Sequence, residues 1–327
     1  MKAITLVLAV VLVAAGCSAA PSAGGIQNPA AVQALPEGAT EVTATPAPSV
    51  DDSCGDPKAS YRPDGPPPAA GDFEFGSTMA TIYQRGRLKV GVDQNTYRFA
   101  YRDSQSGQIE GFALDIAHQI AKAIFGDDDP KRLQLVVLTS TQRIPAVKNG
   151  DVDLVVHSMT ANCERWKDVD FSTIFYNAEQ KVLVRKNSGY KDRNSLAGKK
   201  VCATKDSTSL ARVVNLNVTP KPIGMQVAGW TDCLVMLQQN QVYAISTDDT
   251  ILAGLAAQDP FTVVEKDEIA PEPYGIAMPK DHIEFVKFVN SVLEKIKADG
   301  TWTSSYNKWL AQLLGPAPVP PAAVYKG

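Results

Sequence analysis

Apolar residues fall at every second position in some segments of this chain and at every third or fourth in others, and the two spacings alternate. MATIYQRG predicts a short helix that turns at Gly86. Leu88, Val90 and Val92 then alternate with Lys89 and Gly91, which predicts a strand. After the polar, aromatic stretch DQNTYRFAYRD, Phe112, Ile116, Ile120 and Ile124 recur at every fourth position, the apolar face of an amphipathic helix. RLQLVVL predicts the next strand, and TSTQRIPAVKNGD a loop and short helix. DVDLVV is a buried strand whose apolar run stops at His157 and Ser158. The order β-α-β-α-β predicts a parallel sheet covered by helices.

The order then repeats. KVLVR, KKVCAT, VYAIS, FTVVEK and YGIAMPK predict strands, WTDCLVMLQQ and residues 281–297 predict helices, and a helix starts after KDSTS. DGTWTSSYNKWLAQLLG closes the pattern, with Trp302, Tyr306, Trp309 and Leu310 as an apolar stripe read as core. The segments group into two α/β lobes with the chain crossing between them near 175–180 and again near 270–275. Two strand-like crossings make a hinge, so that a cleft between lobes opens and closes. The expected organisation is one lobe from 78–176 with 274–314 and a second from 177–273.

The ends of the chain read differently. Lys2, the apolar run ITLVLAVVLVAA and a small-residue site before Cys17 predict a secretory signal over residues 1–16. The run is shorter than the about 20 apolar residues of a transmembrane helix. Ala14-Ala15-Gly16-Cys17 resembles a bacterial lipobox, so Cys17 is the expected lipidation site and the chain is expected outside the cytoplasm, anchored to the membrane. Residues 17–77 are rich in Pro, Ala, Ser, Gly and Thr and predict a semi-extended spacer. The Pro-rich 315–327 predicts a flexible tail. With 327 residues, 44% hydrophobic, and a net charge of −3, the chain carries enough for two modest cores and has no basic footprint for nucleic acid. Five cysteines include no CxxC or zinc-type spacing, and the three histidines are scattered, so neither a metal nor a cofactor is expected.

The most informative stretch is DVDLVVHSMTANCERWKDVDFST. Ser158 and Thr160 follow a strand, at the end where open α/β sheets place ligands. Thr160 or Asn162 can cap a short helix that carries Arg165. Hydroxyls, helix N-terminal amides and a guanidinium fork suit an immobilised carboxylate. The pattern VDL-x5-T-x3-ER-x4-DFS resembles the signature of the polar amino-acid solute-binding proteins of ABC importers (family 3), and DGTWTSSYNKWL resembles their terminal element. The resemblance covers residues 80–313. It implies a periplasmic-binding-protein-like type II fold, and a receptor that captures an acidic or amide L-amino acid for an ABC permease or a membrane sensor. A monomer is expected.

The resemblance also implies roles. Arg165, assisted by Thr160 and Ser158, would hold the ligand α-carboxylate. Thr208, in KDSTS, would assist from the second lobe, although Asp206 stands where relatives have Gly. Asp248, in STDDTILAG, would hold the α-ammonium in preference to Asp249. Ser140 and Arg143 resemble a segment that meets a side-chain carboxylate in glutamate/aspartate-binding relatives, with Lys205 as a second cation. Asp93 stands where glutamine-binding relatives meet the amide nitrogen, so Glu, Asp, Asn and Gln all stay open. Phe99 and Tyr101 resemble the apolar cleft wall, and Tyr97 would cover the ligand. A bridge from Cys163 to the second lobe would oppose hinge motion, so the expected pairs are Cys202–Cys233, within the second lobe, and Cys54–Cys163. The competing function is an exported dehydratase-like enzyme on the same fold, with His157 as its acid-base.

Overall fold

The computed structural model describes residues 34–44 and 53–327. The signal segment and Cys17 lie outside these residues. Two sheets organise the rest. The first runs in the order Leu133–Val137, Leu88–Val92, Leu154–Val155, Ala277–Pro279, Val169–Phe171, the first three parallel. The second runs Thr40–Val42, Ile223–Val227, Lys200–Thr204, Ala244–Asp248, Tyr176–Arg185, Thr262–Val264, with Ala270–Tyr274 also paired to Tyr176–Arg185. In this sheet Ile223–Val227, Lys200–Thr204 and Ala244–Asp248 are parallel.

Each sheet has its own core. In the first lobe Val90, Ile116, Phe285 and Trp302 belong to one buried cluster. The every-fourth face of the helix Phe112–Phe125 supplies Ile116, Ile120 and Ile124 to it. In the second lobe Leu183, Met225, Ile245 and Leu252 form another. The chain passes between lobes in Tyr176–Arg185 and Ala270–Tyr274, which pair antiparallel from Tyr176↔Tyr274 to Gln180↔Ala270. Two paired strands resist stretching but tolerate bending and twisting, the mechanical character of a hinge.

Both disulfides are present. Cys202–Cys233 ties the strand Lys200–Thr204 to the helix Trp230–Gln238 inside the second lobe. It closes a sequence separation of 31 residues, for which chain entropy gives about 3 kcal/mol. Replacing both cysteines with alanine should lower the denaturant midpoint correspondingly; an unchanged midpoint would show that the bridge is energetically idle. Cys54–Cys163 fastens the N-terminal region to the first lobe.

That second bridge corrects the reading of the spacer. Residues 53–77 are fastened to the first lobe. Trp166 donates its indole N–H to Pro57 O at 2.8 Å, Ser60 Oγ donates to Phe171 O at 2.6 Å, and Asn290 Nδ2 donates to Ser60 Oγ and Tyr61 O. Further upstream, Thr40–Val42 adds an antiparallel edge strand to the second sheet, with Glu41 paired to Lys200. The tail over 315–327 is corrected too. Val324–Tyr325 pairs with Ala59–Ser60, and Lys297 Nζ donates to Pro321 O at 2.9 Å. Backbone pairing and buried side-chain donors order a sequence whose composition has little apolar surface of its own.

Candidate functional site

The parallel strands of the two lobes point their C-terminal ends at each other. Asp93 follows Leu88–Val92, Ser140 follows Leu133–Val137, and Ser158 follows Leu154–Val155. From the other lobe come Thr208 after Lys200–Thr204, Trp230 after Ile223–Val227, and Asp248 ending Ala244–Asp248. Ser140, Arg143, Ser158, Thr160, Arg165, Thr208, Trp230 and Asp248 line one small cavity. Ser140 Oγ lies 3.2 Å from Thr204 Oγ1 and Thr160 Oγ1 lies 3.5 Å from Thr208 Oγ1, so the lobes meet across the cleft.

Local chemistry explains each placement. Asn162 Oδ1 accepts from the Arg165 N–H at 2.9 Å and so caps the short helix Cys163–Trp166. This leaves the Thr160 side chain to face the cavity. Arg165 Nη1 donates to Thr160 O at 2.8 Å. Arg143 is buried, and donates from Nε to Ser140 O at 3.1 Å and from Nη1 to Ser158 O at 2.6 Å. Burial pushes both guanidiniums down, Arg143 to about 9 and Arg165 to about 10. Both remain cationic at neutral pH.

Asp248 occupies the N-cap position of the helix Asp249–Gln258 without capping it through its side chain. Its Oδ2 accepts from the Tyr274 hydroxyl at 2.5 Å. Its Oδ1 is buried and has no hydrogen-bond partner among the described residues. Burial raises Asp248 to about 6, against the lowering pull of Tyr274, Arg212, Arg143 and Arg165. A buried carboxylate oxygen without a donor is costly unless something supplies one.

Several expectations are corrected or refined. Phe99 is fully buried among Phe112, Phe175, Tyr176 and Tyr274, and is core rather than cleft wall. Its backbone passes so close to Gly111 that a Cβ there would meet Phe99 O at 2.5 Å, and Gly111 has φ 132. Tyr97 does not line the cavity; it packs edge-on to Tyr101 and against Gly254 of the second lobe. Lys205 is exposed and does not reach the cavity, because its loop turns it outward. In that loop Asp206 takes the left-handed φ 57 that a glycine adopts at no cost, so the departure from Gly leaves the turn standing. Asp93 lines an adjoining pocket, with Ser140, His157 and Trp230. Its oxygens already accept from Gln94 N, Asn95 N and Thr96 Oγ1.

Two residues were missed. Glu272, fully buried on the returning crossing strand, accepts from the hydroxyls of Thr160 and Thr208 and pairs with Arg212. Only its place in the hinge, between Pro271 and Pro273, could have flagged it. Trp230 lines both pockets; in the sequence it stood only as the first residue of a helix. His157, considered as an acid-base, is held at about 4 by burial and is neutral at physiological pH.

Comparisons with known proteins agree with this geometry. A family model described as bacterial extracellular solute-binding proteins, family 3, matches residues 88–312. An ABC transporter glutamine-binding protein of Bacillus subtilis is 37% identical over 72% of this chain and 85% of its own. A glutamate/aspartate import solute-binding protein of Salmonella typhimurium is 29% identical over 80% of this chain and 85% of its own. The crystal structure of an L-cysteine solute receptor of Neisseria gonorrhoeae superposes with a TM-score of 0.67 at 25% identity, over 73% of this chain and 96% of that one.

Proposed function

Since this chain belongs to family 3 of the bacterial extracellular solute-binding proteins, we propose that its inter-lobe cavity binds an amino acid with an acidic side chain, Glu or Asp, ahead of Asn or Gln. It is a receptor rather than an enzyme, which disposes of the dehydratase-like alternative. The observation that carries the reading is the buried Asp248 Oδ1, without a donor among the described residues, on a side chain that lines the same cavity as the Arg143 and Arg165 guanidiniums.

The free charges match the ligand. Arg165 and Arg143 each retain guanidinium N–H groups beyond their contacts to carbonyls. The Arg212–Glu272 pair neutralises itself, and Asp93 already accepts from three donors. That leaves two cations and one anion for a ligand with two carboxylates and one ammonium. Arg165 would take the α-carboxylate, Asp248 the α-ammonium, and Arg143 with Ser140 the side chain. Thr160, Thr208 and Ser158 would shape the walls rather than carry charge. Asp93, in the adjoining pocket, keeps the amides within reach of the site. Delivery to an ABC importer, from a lipid anchor at Cys17, completes the proposal.

Calorimetric titration of the purified chain with the twenty amino acids tests it. L-Glutamate or L-aspartate should bind one to one and more tightly than the amides. At 100 times its Kd such a ligand should add about 2.7 kcal/mol to stability. Binding of none of the four would refute the reading. Replacing Arg143 with Met should weaken the acids at least about tenfold more than the amides, because only the acids need a countercharge. Equal losses would show that Arg143 does not read the side chain.

A further inference from the structure

A second cavity, of about 980 Å³, lies on the other face of the hinge. Its floor is the crossing strand Tyr176–Arg185. Successive residues of a strand face opposite ways. Gln180 donates to Ser209 O and Ser246 Oγ on the cleft side, whereas Asn177, Glu179 and Lys181 line the rear cavity. One wall is the second-lobe helix Asp249–Gln258. The other is the end of the first lobe, from Trp302 and Tyr306 to Leu313 and Leu314.

The chemistry of this groove is that of a site for an organic cation. Ala256, Ala257, Leu313 and Leu314 give its walls alkyl surface, over the buried rings of Tyr176, Trp302 and Tyr306. Asp249 opens into the same space. Its carboxylate accepts backbone hydrogen bonds, from Thr250 N at 2.8 Å and from Glu179, and forms no ion pair among the described residues. Lys181, on the same floor, is paired with Glu179 at 2.8 Å. The other groups facing Asp249 are Asp248 and the hydroxyls of Tyr176, Tyr274 and Tyr306, with Glu265 and Lys266 at the rim. A half-buried carboxylate whose neighbouring cation, Lys181, is paired with Glu179, set against alkyl walls, is complementary to an ammonium on an apolar body.

We propose that the rear groove is a second binding site, for a small organic amine with an apolar body, and that its occupant stabilises the closed cleft. The volume is within the range of small-molecule pockets. The two walls belong to different lobes, and the paired strands 176–180 and 270–274 lie between groove and cleft. A rotation about those strands that parts the cleft brings the rear walls together. An amine held between the walls opposes that rotation.

The two sites are also neighbours in sequence. Asp248 and Asp249 are consecutive, one facing the cleft and the other the groove. Burial and the neighbouring Asp248 charge raise Asp249 to about 7. Two ammonium groups on neighbouring carboxylates repel each other, so the coupling comes from the closed geometry, through which each ligand raises the affinity of the other by the same factor. The groove stands without the amino-acid reading; only the coupling rests on it.

The test is calorimetric titration of the full chain with n-hexylamine at pH 8, with n-hexanoate as the control of equal length. Hexylamine should bind saturably and hexanoate should not. Asp249→Asn should weaken hexylamine at least tenfold, and Ala257→Trp, which fills the groove from an exposed helix position, should do the same without touching the carboxylate. Saturating hexylamine should tighten L-glutamate binding severalfold. Equal binding to wild type and both groove variants, or competition between hexylamine and L-glutamate, would overturn the proposal. If no amino acid binds while hexylamine behaves as described, the cleft reading fails and the groove stands.

Discussion

Replacing Arg165 with alanine is expected to weaken amino-acid binding by roughly 2–5 kcal/mol, about thirtyfold to several thousandfold. Arg165 is half-buried, and among the described residues only its Nη1 is committed, to Thr160 O. The rest of the guanidinium edge is free for a carboxylate. No neighbour can take its place. The Thr160 and Thr208 hydroxyls donate to Glu272, and Arg143 is held by Ser140 and Ser158 on the side-chain flank. Losing the cation would leave a desolvated carboxylate facing uncompensated walls. Arg165→Lys should rescue poorly, because an ammonium lacks the planar two-donor edge. The substitution should not unfold the chain, since the cap of the helix Cys163–Trp166 uses the Arg165 backbone and Asn162. Titration calorimetry together with a melting curve decides it. Wild-type affinity in a folded Arg165→Ala chain would remove Arg165 from the site.

The strands and helices of both lobes were legible because each buries one face, and a buried face imposes period two or period 3.6 on the sequence. Val90 and Ile116 are examples of such positions. Arg143, Arg165 and Asp248 were singled out through the family resemblance, and the fold brings all three to one cavity. What escaped were residues whose roles depend on partners far away in sequence. Glu272 takes its meaning from Thr160, Thr208 and Arg212, none of them nearer than 60 residues. Phe99 sits in an aromatic stretch close to Tyr97 and Tyr101, and nothing local says which ring turns inward. Lys205 has the right charge in the right loop, but the left-handed Asp206 beside it shapes a turn that leaves the lysine in solvent.

The N-terminal region shows the same limit from the other side. Residues 53–77 are poor in periodic apolar positions, and composition alone reads as spacer. They are ordered by a disulfide, by single donors such as Ser60 and Asn290, and by the Lys326 ammonium 3.7 Å above the Trp166 ring. The bridge ends at Cys163, two positions before Arg165, so the N-terminal region is fixed to the same short helix that presents the guanidinium.

Asp248→Asn is expected to cost amino-acid binding roughly 3–5 kcal/mol at neutral pH, the penalty for leaving a buried ammonium without its countercharge. It should also change how affinity depends on pH. Burial holds the Asp248 carboxyl at about 6, against an ordinary value of 3.8. In the ligand-free chain this raised value favours the protonated folded form. Its contribution to stability is full below pH about 4 and is lost as pH rises through about 6, on the order of 3 kcal/mol in all. An ammonium beside Oδ1 reverses the preference, because it needs the ionised carboxylate. Binding below pH 6 must therefore expel a proton, and affinity should fall toward tenfold per unit as pH drops from 6 to 4. Arg143 and Arg165 stay charged over that interval and add no slope. Asp249 titrates nearby, at about 7, but faces the rear groove and modulates the profile only through its charge. Asp248→Asn removes the titrating group, so its weaker binding should be nearly flat from pH 7 to pH 4. The ligand-free variant should be at least as stable as wild type at pH 8, where it no longer buries a carboxylate. Titrations at pH 4, 5, 6, 7 and 8 on both proteins read all of this. A wild-type affinity at pH 8 in the variant, or a wild-type slope below pH 6, would show that the ammonium sits elsewhere.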